Sequence, residues 1–211
     1  MTTVLLTGFS PFDGAARNPS ADAVALVEAA WDRPEHLVVA TLPVAFARAP
    51  GELARLAAAH SPALVVATGL AGGRRDLSVE RVAVNLADAR IPDDDGHRPA
   101  GEPLDPDGPD AYLLRGPVKA AAAAATAAGA AASTSLTAGA YVCNAVAYAL
   151  GAWERGAAGR RAAFVHVPWD EHGPDGAPRT PLATTARGVR AVVDTFLDVP
   201  DDVVVADGPT H

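Results

Sequence analysis

The 211-residue chain has one cysteine, Cys143, so it can form no internal disulfide and offers no cysteine pair to a structural metal. Aromatic residues are scarce, with three Trp, three Tyr and five Phe against abundant alanine, so the core must be built from small side chains and closely packed helices. No apolar run is long enough to cross a bilayer, since the longest alanine tract, residues 120–125, reads as a helix. The first residues show no basic leader followed by an apolar stretch, which sets the expectation of a cytoplasmic protein. The net charge of −8 argues against a general nucleic-acid or anionic-membrane binder and favours a small-molecule or peptide partner. The spacings G-x-G-x-x-G and H-E-x-x-H are both missing, and the acidic loop lacks the terminal glutamate of a calcium loop. A dinucleotide site is thereby excluded, and of metal sets only His166 with Asp170 and His172 comes near.

What is present is an alternation of strand-like and helix-like segments in a length suited to one domain, residues 1–211. Short β-branched or apolar runs predict strands over 4–9, 37–42, 63–68, 82–86, 133–137 and 162–167. Between most of them, helices are expected over 19–31, 47–60, 117–128, 143–155 and 181–197. Helices layered on a largely parallel sheet follow, because several strands are continuously apolar and need cover on both faces. Asn18 followed by Pro19 is a helix start, the amide side chain capping free N–H groups and the proline taking the first helical position. Residues 92–117, rich in Pro, Gly and Asp, read as a long acidic loop within the domain. Residues 169–181 read as a second loop and 201–211 as a frayed tail.

Three residues could carry chemistry. Cys143 falls where a helix begins after a strand, and a helix N-terminus lowers a thiol's pKa and presents free amides to a developing oxyanion. A buried, inert cysteine is the other reading of the same position. His166 closes the run 162–167, and ligands gather at the carboxyl ends of strands in open α/β sheets. It reads either as a base or as a satisfied core histidine. Glu80 opens the run Glu80-Arg81-Val82-Ala83-Val84-Asn85-Leu86 and, by period-two alternation, shares a face with Val82, Val84 and Leu86. A carboxylate on an apolar row needs a partner, either a histidine to orient or an arginine such as Arg81 or Arg90. Phe9 and Phe12, in a loop of an aromatic-poor chain, either wall a small apolar pocket or cover the core.

Four ordered blocks resemble the pyroglutamyl peptidase I (pyrrolidone-carboxylate peptidase) family. They are Thr7-Gly8-Phe9-Ser10-Pro11-Phe12-Asp13-Gly14 with Asn18-Pro19-Ser20, then Gly72-Gly73-Arg74 with Glu80 to Asn85 and Asp88 to Pro92, then Ala138 to Asn144, and finally Val165-His166-Val167-Pro168. The resemblance implies a three-layer α/β/α sandwich around a twisted, mostly parallel mixed sheet, no cofactor, no metal, and a homo-oligomer, tetramer or dimer. It implies a cysteine omega-peptidase acting on peptides with an N-terminal pyroglutamate through an acyl-enzyme, with Glu80, Cys143 and His166 as catalytic triad. It further implies that Phe9 and Phe12 sandwich the lactam ring, that Asn18 contacts substrate, and that Arg90 lies near the nucleophile. Leu70 stands where many bacterial members carry a glutamine resembling a lactam-recognising group. Two other readings stay open, the same triad acting on another small N-terminal acyl or lactam group, and a non-catalytic binder of modified peptide N-termini.

Overall fold

The structure is a computed structural model that describes residues 2–207. Its centre is a six-stranded sheet, ordered β2-β1-β3-β10-β4-β9. These strands are β1 (Thr3–Phe9), β2 (His36–Leu42), β3 (Leu64–Leu70), β4 (Leu77–Glu80), β9 (Ala132–Ser135) and β10 (Arg161–Val167). The first four in spatial order run parallel, while β4 is antiparallel to β10 and parallel to β9. The helices are α1 (Pro19–Ala29), α2 (Arg48–His60), α3 (Val118–Ala127), α4 (Val142–Arg155) and α5 (Leu182–Asp198), each within two residues of the span the sequence predicts.

Alternation along the strands divides the core into two layers, as a sheet covered on both faces requires. Leu5, Val65, Ala67 and Phe164 point to the side of α2 and α4. Val4, Leu6, Val66, Val79 and Val165 point to the side of α1, α3 and α5. The result is the three-layer α/β/α arrangement. Phe164, fully buried at the centre, is with Phe196 one of the two largest side chains sealed wholly from solvent among the described residues, and truncation of such a residue to alanine costs about 3–5 kcal/mol.

Asn18 caps α1 as the sequence predicts, its Oδ1 accepting from Ser20 N at 3.1 Å with Pro19 in the first turn. The cap is worth about 1 kcal/mol. Helix α3 has no side-chain cap of its own at Pro117. Its free amides at Lys119 and Ala120 are instead taken by Asp202, each at 3.0 Å. Asp207 also reaches Thr134 and Lys119. Residues 201–207 are therefore docked on the body where a frayed tail was expected, and 208–211 lie outside the described residues.

One predicted strand is corrected. The run that was to extend from Glu80 into residues 82–86 breaks at Arg81, whose N–H donates to Ser135 O while its carbonyl accepts from Leu114 N. The chain changes partners there. Glu80 ends β4 in the central sheet, and β5 (Val82–Val84) pairs instead with β8 (Ala111–Leu113). Glu80 accordingly shares its sheet face with Ser78, on the α4 side, and not with a row of valines. The acidic loop carries β8 and β7 (Ala100–Glu102), the latter paired with β6 (Ala87–Asp88). Its aspartates serve backbone amides, Asp93 accepting from Phe46, Asp95 and His97 and Asp94 from Val44.

Candidate active site

The carboxyl ends of β1, β3 and β10 meet the N-terminus of α4 at one end of the sheet. Cys143 is the second residue of α4, after the extended N-cap Tyr141. Asn144 fixes this helix start. Its side chain, wholly buried, accepts from Val84 N and donates to Val84 O and Leu86 O, tying β5 to the first turn. The sulfur sits directly over β3. A Cβ placed on Gly69 would lie 2.7 Å from Cys143 Sγ and 3.0 Å from the Phe164 ring, so only glycine leaves room for the thiol.

Gly69 is the register partner of His166 on the neighbouring strand, so imidazole and sulfur flank the same position on the same face. On the other side of β10, Ser78 is opposite His166, and Glu80 follows two residues along β4 as its diagonal neighbour. Nδ1 of His166 lies 2.7 Å from Glu80 Oε1. Both residues are buried, at 5% and 1% exposure. Among the described residues the ring's hydrogen bond goes to Glu80 and none joins it to Sγ. Such contacts often tighten only in the substrate complex.

Glu80 Oε1 also accepts from Arg74 Nη1 at 2.6 Å, while Oε2 is buried and accepts no bond among the described residues. Both partners weighed for the carboxylate are thus realised, but the arginine is neither Arg81 nor Arg90. Arg81 turns to Asp202 at 3.8 Å. Arg90 is exposed and does not line the cleft, because alternation in its extended segment turns Ala87 and Ala89 inward and Asp88 and Arg90 out. The resemblance implies a place near Cys143 instead. Arg74 lacked any periodic signal that could have marked it.

The thiol itself reverses an expectation. Burial, and next the charge of Glu80, push Cys143 up to about 12, outweighing Arg74 and the helix amide, which pull down. The residue as a whole is half-buried, but its sulfur is hemmed by β3 and Phe164, and desolvation of the thiolate exceeds the helix-terminal effect. At neutral pH Cys143 therefore rests as a thiol.

Beside it opens a cleft of about 40 Å³ lined by Phe9, Phe12, Asn18, Leu70, Tyr141 and Cys143. Of the residues expected around a substrate, Phe9, Phe12, Asn18 and Leu70 line this cleft and Arg90 does not. Tyr141 was missed by sequence reasoning, although it stands two residues before the cysteine. Its ring lies 6.4 Å from Phe12 and 5.3 Å from Phe46, and its hydroxyl donates to Pro92 O. Asn18 is held by Ser20 and donates to Ser10 O at 2.9 Å. Among the described residues no three His, Cys, Asp or Glu side chains converge on a metal position, and no helix is long and apolar enough to cross a membrane.

Comparison with known proteins shows the family and the fold. A family model described as pyroglutamyl peptidase matches residues 2–198. The pyrrolidone-carboxylate peptidase of Streptomyces coelicolor is 45% identical over the whole of both chains. That of Bacillus subtilis is 37% identical over 99% of this chain and 98% of its own. Among solved structures, the pyroglutamyl peptidase I of Bacillus amyloliquefaciens superposes with a TM-score of 0.91 at 34% identity, covering 97% of this chain and 99% of that one. The pyrrolidone carboxyl peptidase of Thermococcus litoralis gives 0.87 at 32% identity, over 97% and 99%.

Proposed function

The chain belongs to the pyroglutamyl peptidase family of peptidase hydrolases, and from that premise we propose that it removes an N-terminal pyroglutamyl residue from peptides, with Cys143 as nucleophile. The observation that carries this reading is the stacking of Cys143 Sγ over Gly69, beside the Glu80–His166 pair and at the wall of the small cleft.

His166 takes the thiol proton as Sγ attacks the pyroglutamyl carbonyl carbon, which suits a thiol that stays protonated at rest. Glu80 holds the ring's Nδ1 side and stabilises the imidazolium as it forms. The oxyanion of the tetrahedral intermediate meets the first amides of α4, which have no intrahelical acceptor. The carbon–nitrogen bond then breaks, the proton passes from His166 to the leaving amine, and a thioester remains on Cys143. Water attacks that ester with His166 again as base, releasing pyroglutamate and restoring the thiol. Phe9 and Phe12 would hold the lactam ring between them, and Asn18 faces the same cleft. A cytoplasmic location fits the free thiol. A homo-oligomer, tetramer or dimer, would cover part of the apolar surface at Leu86, Leu113 and Leu136, and light scattering decides it.

The test is hydrolysis of a pyroglutamyl fluorogenic amide, with a prolyl amide as control. Wild type is expected to cleave the first and not the second, and Cys143→Ala neither. A folded wild type that leaves the pyroglutamyl amide intact sinks the substrate assignment, and equal rates in both proteins remove Cys143 from the mechanism. A second reading, a different small acyl or lactam group, draws on Leu70, which puts an apolar side chain on the cleft wall. Leu70→Gln is expected to raise pyroglutamyl hydrolysis several-fold. A drop in that rate together with a loss on another N-acyl amide favours the second reading.

A further inference from the structure

Glu80 has no exposed side-chain surface, and one of its oxygens serves two donors at once, His166 Nδ1 at 2.7 Å and Arg74 Nη1 at 2.6 Å. Arg74 is itself 32% exposed, so its charge remains in contact with water while its tip reaches the buried carboxylate. The guanidinium is pinned from the other side, Nη2 donating to Thr137 O at 2.9 Å and Nη1 lying 3.3 Å from Ser135 Oγ. Such a fork holds its charge in one place, which a flexible ammonium does less well.

Among the described residues, the charged and titratable groups facing Glu80 are few. They are His166 from β10, Cys143 from α4 and Arg74 from the loop before β4. Strand β9 contributes only the Ser135 hydroxyl, and the opposite face of β4 presents Leu77 and Val79 to α3 and α5. Arg74 is therefore the one fixed cation in this set. Without it, a carboxylate sealed from water beside an imidazole would hold an additional proton on the pair, because an unpaired buried charge is costly. An imidazole already protonated cannot accept the proton of Cys143.

We propose that Arg74 is a positioning residue for proton transfer: by sharing Glu80 Oε1 with His166, it supplies the charge that keeps the buried pair from taking up an extra proton, leaving the ring free to receive the thiol's. The same charge opposes the influence of Glu80 on the sulfur. The inference rests on the acyl-transfer reading of this site, and its test separates the two.

In Arg74→Gln, the acid limb of the kcat/KM profile is expected to move up by about one pH unit or more. The loss should be about tenfold near pH 6.5 and should narrow at alkaline pH, with KM within about twofold because Arg74 is not part of the cleft wall. A merely structural arginine would lower activity at every pH alike. Arg74→Met gives a second neutral variant should the first fold poorly. Arg74→Lys, which keeps the charge, is expected to leave the limb within about 0.3 unit of wild type. Titration of the His166 ring by ¹⁵N NMR, assigned with His166→Asn, reads the same shift without any substrate. A wild type inactive on the pyroglutamyl amide therefore counts against the proposed function alone, while the ring titration still decides Arg74. A ring midpoint unmoved in both neutral variants, or moved as far in Arg74→Lys, overturns the proposal.

Discussion

Two clusters of opposite charges sit at opposite ends of the central sheet, and they use the same residue types to different effect. At the end where β1 and β2 begin, Arg33 meets Asp198 at 2.7 Å, Glu35 at 3.0 Å and Asp194 at 3.4 Å, while Arg190 meets Asp32 and Asp194. Asp32 and Asp198 there are more than half exposed. At the other end a single carboxylate, Glu80, carries both its partners with no exposed surface at all. The first cluster has more contacts and the second has less water. Coulomb energy scales with the surrounding dielectric, so the smaller set should dominate both stability and chemistry.

Glu80→Gln is the most direct way to break that comparison. The amide keeps the shape and loses the charge, so the imidazolium formed during attack is unsupported and Arg74 loses its counterion. A fall in kcat of about a thousandfold is expected, together with destabilisation of about 3–5 kcal/mol for a broken buried pair. Steady-state kinetics and urea unfolding measure the two separately. A variant that loses stability but keeps kcat would make Glu80 a structural salt bridge and no more.

Gly69→Ala sharpens the same end without touching a charge. The added methyl would fall 2.7 Å from Sγ, forcing the thiol or the strand to shift by a few tenths of an ångström or more. Displacement of a nucleophile on that scale costs up to about a hundredfold in kcat, and overpacking costs about 1–3 kcal/mol. Iodoacetamide reports the outcome cleanly, since Cys143 is the chain's only thiol. Wild-type alkylation should climb with pH beyond 9, towards the thiol's value of about 12. An alkylation plateau near neutrality would mean that the resting state is already a thiolate.

The sequence made the layers and most of the site legible because both depend on local pattern. Helix starts at Asn18 and Cys143 and the strand end at His166 follow from caps and periodicity. What escaped depends on distant partners. The break at Arg81 exists because Ser135 and Leu114 claim its two backbone groups, and no run of apolar residues encodes that. The direction of the Cys143 shift depends on how tightly β3 and Phe164 close over the sulfur, whereas the helix start alone argued for the reverse. Arg74 and Arg75 are adjacent and look alike in sequence. Only the fold sends one of them to Glu80.

The smallest effect belongs to Arg33. Its fork spans Glu35 before β2 and two aspartates on α5, and these contacts, Asp198 foremost, hold its pKa well above the usual arginine range. That shift overstates what folding gains, since part of the network faces water and salt screens it. Arg33→Gln is expected to lower stability by about 1 kcal/mol, a drop of about 2–4 °C in Tm for a chain of this length, with kcat/KM unchanged. Raising the salt to about 0.5 M should shrink the difference, because the Debye length contracts to a few ångströms. A loss as large as that of Glu80→Gln, or one indifferent to salt, would show that contact number outweighs burial in this protein and would undo the contrast between the two ends of the sheet.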